Sequence, residues 1–119
     1  MATPDQLALW RRTYEELLES MVKSREQFMA WSEEVALVEA QNQTVEFRVC
    51  VLEIKQDLQR YGEVLKKLPK TEDLSDEELE KNDGKAGQLL DVVQEVTALQ
   101  INLPRKFEKL HFMLKQPLQ

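Results

Sequence analysis

The sequence predicts an all-α protein built on long amphipathic helices, and three observations carry that expectation. Ala, Glu, Lys, Leu and Arg supply 57 of the 119 residues, the composition of long helices and coiled coils. Only three Gly and four Pro are present, too few for a turn-rich β protein. No Gly or Pro falls between Asp5 and Tyr61, so nothing interrupts a helix for 57 residues. The length suits one domain with one core. Leu, Ile, Val and Phe total 34, well above disordered composition.

Thr3-Pro4-Asp5-Gln6 starts the first helix. The Thr3 hydroxyl can accept an orphan backbone N–H, Pro4 sits where its missing N–H costs nothing, and Gln6 can close a capping box. Apolar residues then recur at alternating spacings of three and four. The stripe runs through Leu7, Trp10, Tyr14, Leu17, Met21, Ser24, Phe28, Trp31, Val35, Val38, Asn42, Val45, Val49 and Leu52. Ser24 and Asn42 are its two polar members, and a stripe held over six heptads reads as a packing seam. Past Leu52 the phase changes, and Val51, Ile54, Leu58, Tyr61, Leu65 and Leu68 carry it on. Phe47 widens the apolar face between Val45 and Ile54, so this part wants more than one neighbour. The helix is expected to stop near Leu68, before Pro69.

Residues 69–84 read as an acidic connector, with seven acids and two Lys between Lys70 and Gly84. Within it Ser75-Asp76-Glu77-Glu78 forms a capping box, predicting a short helical turn that ends at Asn82-Asp83-Gly84. Ser75 precedes three acids, the pattern acidophilic kinases such as casein kinase 2 prefer, and is a candidate phosphosite. A last helix is expected from about 85 to 115. Its stripe is Ala86, Leu89, Val93, Val96, Leu103, Phe107, Leu110 and Leu114, widened by Leu90, Leu99 and Ile101. Gln100 is its polar gap. Pro104 should kink or split it, with Asn102 capping the second piece. The wide faces of 45–68 and 85–103 are expected to pack together as the chain folds back.

Two architectures fit this pattern. In the leading one, residues 4–68 form one helix of about 95 Å. No single chain covers such a seam, so the protein homodimerises through Trp10, Tyr14, Leu17, Met21, Ser24, Phe28, Trp31, Val35, Val38, Asn42, Val45, Val49 and Leu52. An antiparallel pairing sets Ser24 opposite Asn42 and Trp31 opposite Val35, with Arg11 near Glu53 and Arg25 near Glu39. A parallel pairing stacks Asn42 on Asn42 and sets Glu34 against Glu39. The seam crosses Asn42 in phase, which favours the long helix. The alternative breaks the chain near 41–44 and gives a monomeric three-helix bundle of spectrin-repeat size.

Most chemistry finds no support. The net charge of −6 argues against nucleic-acid binding by bulk charge. Cys50 is the one cysteine, so no internal disulfide is expected, which fits the cytoplasm or nucleus. Met1 to Asp5 shows no leader pattern, and the longest uncharged run, Val96 to Pro104, is half a membrane span. His111 has no second His or Cys nearby for zinc. Gly84-Lys85-Ala86-Gly87 is too short for a phosphate loop, and Cys50 has no His to activate it. No catalytic residue, cofactor or metal is therefore expected. The segment with Arg105, Lys106, Lys109, Phe112 and Met113 is basic and apolar, a candidate surface for an acidic partner, for residues 71–83, or for a membrane surface.

The expected function is that of a non-enzymatic scaffold or adaptor subunit. It would self-associate and tether partners within a cytoskeletal, vesicle-tethering or chromosome-associated complex. The alternative is a monomeric three-helix protein-binding module, and a membrane-surface binder comes third.

Overall fold

A computed structural model describes residues 3–41, 44–80 and 84–115, and these contain helices and no strand. The helices are α1 (Pro4–Val38), α2 (Val45–Leu65), α3 (Asp76–Glu80) and α4 (Lys85–Lys115), with one 3-10 turn at Thr71–Asp73. Helices α1, α2 and α4 form an up-down-up bundle. Ser24 meets Gln100 and Glu34 meets His111 at sequence intervals of 76 and 77, so α1 and α4 run parallel. Arg60 reaches Glu95 while the earlier Cys50 reaches Lys106, so α2 runs against α4. The bundle is a rod of 67 × 18 × 17 Å with a radius of gyration of 18.7 Å. A sphere-like domain of this length would have about 13–14 Å.

The single helix over 4–68 does not form. Helix α1 ends at Val38, where Glu39 N–H donates to the Val35 carbonyl at 3.0 Å. Thr44 opens α2, its hydroxyl accepting the Phe47 N–H at 3.3 Å. The reason lies in what the reversal covers. Phe47, Ile54, Tyr61 and Val64 are all 0% exposed, packed between α1 and α4. A straight helix would leave that face in water, and burying each such side chain contributes about 1.5–3 kcal/mol. The seam's continuation pays for this choice: Val45, Val49 and Leu52 point outward. Asn42 lies outside the described residues. The second stripe, with Val51, Ile54, Leu58, Tyr61 and Leu65, is the buried face of α2.

Local signals set the other helix ends. Thr3 and Gln6 make the expected capping box at the start of α1. Helix α2 ends three residues before Leu68 and unwinds through two turn bonds, Lys67 to Val64 and Leu68 to Leu65. Helix α4, by contrast, is not split at Pro104. Pro104 is exposed, while Leu103 and Phe107 beside it are buried. Its ring therefore faces water, and packing on both sides holds the helix despite the donor missing toward the Gln100 carbonyl. Asn102 stands mid-helix and caps nothing.

The connector is not a solvated loop throughout. Leu74 and Leu79 are buried, at 1% and 5% exposure. The Arg11 guanidinium donates to the Leu74 carbonyl and to the Asp76 carboxylate, both at 2.6 Å, pinning the connector to α1. Ser75 caps α3 by accepting the Glu78 N–H at 3.3 Å. The expected helix end at Asn82-Asp83 lies outside the described residues. Gly84 instead begins α4, its carbonyl accepting the Gln88 N–H at 3.0 Å.

Candidate partner-binding groove

The α1 part of the seam faces its own chain. Met21, Ser24 and Val35 are buried, and Tyr14, Leu17, Phe28, Trp31 and Val38 pack half-buried against the core. Trp10 is 38% exposed at the free end of α1. Trp31 stacks on Phe107 at 6.0 Å and meets Tyr61 edge-on at 6.1 Å, so it lies against α4 and α2 and not against a partner's Val35. Arg11 pairs with Asp76 in place of Glu53, and Glu39 with Lys55 in place of Arg25. The α1 seam therefore needs no second chain to cover it.

Ser24 finds its polar partner inside the bundle. Gln100 Nε2 donates to Ser24 Oγ at 2.9 Å and to the Tyr61 hydroxyl at 3.2 Å. The Tyr61 hydroxyl donates to the Ser24 carbonyl at 3.0 Å. One polar cluster thus ties α1, α2 and α4 at a single level. Shifting any one helix by a turn would strand its groups unpaired, which fixes the register of all three.

The basic segment divides. Arg105, Lys109 and Phe112 are exposed, the last by 62%. Lys106 is held by Asp57 at 2.5 Å, and Met113 packs half-buried against the core. His111 is exposed and pairs with Glu34 at 2.5 Å. The connector sits by Arg11 and this segment by Glu34, about 35 Å apart along α1. Residues 71–80 are therefore not its partner. Cys50 is buried between α2 and α4, its thiol donating to the Lys106 carbonyl at 3.6 Å. Burial pushes that thiol's pKa up, only partly offset by Lys109, so the nucleophilic thiolate is disfavoured. Among the described residues no acid, His or Cys cluster is placed to hold a metal, and no helix is long and apolar enough to cross a membrane.

An open groove runs between α1 and α2. Its floor is the Phe28 ring, stacked on Tyr61 at 5.5 Å, with Leu58 beside it. Gly62 makes this approach possible, because a Cβ there would stand 3.1 Å from the Phe28 ring. Two adjoining cavities of about 570 and 260 Å³ share Phe28, Leu58 and Gln59. Arg25, Glu63 and Lys66 flank one end, Ser32 and Lys55 the other. Met29, 60% exposed, lines the wall, and Val22, 54% exposed, lies two turns before it on the same side of α1. Sequence reasoning missed this site because Phe28 read as ordinary seam and no spacing marked Gly62 as the place of a close approach.

The fold and groove define the class: a three-helix bundle whose core is closed and whose α1–α2 face is open and apolar. Compared with known protein families, curated proteins and solved structures, the chain matches none.

Proposed function

We propose that the chain is a non-enzymatic protein-interaction module, a scaffold or adaptor unit that takes an amphipathic helix of a partner protein into the α1–α2 groove. The observation that carries this is the groove itself: an apolar floor at Phe28 and Leu58, with Met29 left exposed on its wall. A helix laid there would set residues at i, i+3, i+4 and i+7 on that floor, completing a four-helix arrangement. Methionine suits such a wall, since its unbranched thioether adapts to the partner's shape. Covering Met29 and Val22 would contribute about 1.5–3 kcal/mol each. Arg25 and Lys66 favour acidic residues flanking the partner's apolar stripe. The larger apolar faces of α1, α2 and α4 already serve the chain's own core, which favours a monomer with a different protein as the occupant. A reducing compartment, cytoplasm or nucleus, suits the free Cys50 thiol.

A photo-crosslinking residue at position 29, compared in cells with one at exposed Glu19, tests the reading. A discrete adduct is expected from position 29, absent from position 19 and lost when Val22→Asp is added. Identical adduct patterns from both positions, or a purified protein of twice the chain mass in light scattering, would refute it. Exposed Arg105, Lys109 and Phe112 support a second contact, to an acidic surface of the partner. Charge reversal at Arg105 and Lys109 should slow association, the more so at low salt.

A further inference from the structure

The α1–α2 groove is lined by groups already satisfied within the chain and by groups that are not. Most polar ones on its rim are held: Gln59 Nε2 donates to Glu63 at 3.3 Å, and Lys55 pairs with Glu39. The Ser32 hydroxyl donates to the Phe28 carbonyl at 2.8 Å. Leu58 and Leu65 line the cavity but are buried, and offer a ligand little surface. What the groove presents to an incoming apolar side chain is therefore narrower than its lining. It is the half-buried Phe28 ring, the exposed Met29 thioether and the exposed Arg25 guanidinium. Arg25 makes no ion pair among the described residues.

Each of these three groups favours an aromatic ring. Phe28 stacks on Tyr61 at 5.5 Å with 17° between the planes, and the ring surface that Tyr61 leaves forms the groove floor. A further ring laid there continues an aromatic series already running Phe107, Trp31, Tyr61, Phe28, with neighbouring centroids 5.5 to 6.1 Å apart. Ring pairs attract through their quadrupoles beyond the area they bury. A thioether at a ring edge and a guanidinium over a ring face add to this, and neither does so for an aliphatic side chain. Gly62 keeps the floor open, since a side chain there would begin 3.1 Å from the Phe28 ring and cover it. The cavity of about 570 Å³ has room for an indole, whereas the adjoining one of about 260 Å³ suits an aliphatic residue one helical turn away.

We infer that the partner helix anchors in this groove through an aromatic residue, seated on Phe28 against Met29 and Arg25. The inference rests on the groove reading and narrows the class of partner. It selects, from amphipathic helices at large, those with Phe, Tyr or Trp at the centre of the apolar stripe.

Two fluorescein-labelled helical peptides, titrated into the full chain and followed by anisotropy, test this. Both carry Leu at i and i+7 and Glu on the flanks. One has Phe at i+4, the other cyclohexylalanine, which keeps the ring size, is more apolar and has no π-system. The Phe peptide should bind about tenfold tighter, although burial alone would favour the cyclohexyl ring. It should also move the Met29 methyl proton resonance upfield by its ring current, which the cyclohexyl peptide cannot do. Phe28→Leu, with an unchanged circular dichroism spectrum, should reduce the preference to about twofold or less. Met29→Leu, a surface change that keeps the wall apolar, should reduce it about threefold. Equal or tighter binding of the cyclohexyl peptide, or a preference that survives both variants, would overturn the aromatic anchor and leave the groove standing. Absence of binding by either peptide, or binding that Val22→Asp leaves unchanged, would overturn the groove reading and the anchor with it.

Discussion

Trp31→Ala separates a core closed within one chain from a seam shared by two. The indole bridges all three long helices, stacked on Phe107 of α4 at 6.0 Å and edge-on to Tyr61 of α2 at 6.1 Å. Truncating a fully buried Trp costs about 3–5 kcal/mol. This ring is half-buried, so part of that loss does not apply, and Ala returns about 0.5 kcal/mol of helix propensity. The expected loss is about 2–3 kcal/mol. With a urea dependence of about 1–2 kcal/mol per molar for a chain of this size, the unfolding midpoint should fall by about 1–2 M. The assay is urea unfolding by circular dichroism, on the parent and variant, at two protein concentrations tenfold apart. A bundle closed within one chain unfolds at the same midpoint at both. A dimer would lose about 1.4 kcal/mol of apparent stability on tenfold dilution. A concentration-dependent midpoint, or a loss under about 0.5 kcal/mol, would refute the reasoning.

Tyr61→Phe should cost about 1–2 kcal/mol in the same assay, since the hydroxyl's bond to the Ser24 carbonyl and the one it accepts from Gln100 are both lost, while Gln100 keeps its bond to Ser24. Pro104→Ala should raise stability by about 1–3 kcal/mol, because the new N–H can reach the Gln100 carbonyl and the ring lost is exposed. A lower melting temperature would refute this. Cys50 predicts an alkaline decline: its folded pKa lies above the ordinary 9.0, so the unfolded chain loses the proton first. Stability should then fall as pH rises from about 9 toward the folded value, and Cys50→Ala should flatten that decline. Arg11→Ala should speed amide exchange across residues 74–80 while moving the global midpoint little, since the link it breaks holds only the connector.

The helices and much of the core were legible because both rest on near-neighbour physics. The Thr3–Gln6 capping box acts over three residues. The stripe of Val51, Ile54, Leu58, Tyr61 and Leu65 is a single face of one helix, and α2 buries it as the spacing requires. The fold-back of α2 on α4 followed from the width of their apolar faces. The exposure of the basic segment was legible only in part. Arg105, Lys109 and Phe112 are exposed as expected, whereas Lys106 serves an ion pair with Asp57 and Met113 the core. The groove could not be read, since it is made by side chains from two elements far apart in sequence.

The sequence by itself determined that the chain is helical, where its first helix begins, and which residues of α2 would seek cover. Tertiary structure alone decided that the chain reverses between Val38 and Val45. Heptad spacing through Asn42 permits either outcome, because it records only which residues share a face of a helix and not what that face will meet. The decision came from Phe47, Ile54, Tyr61 and Val64, which reach complete burial only when α1 and α4 flank α2. Ser24 and Gln100 make the same point with polar groups. Each reads as a defect in its own stripe, and only the packing of α1 beside α4 brings them within 2.9 Å and makes both a requirement. Periodicity is a property of one helix, whereas burial and hydrogen-bond satisfaction belong to the helices together.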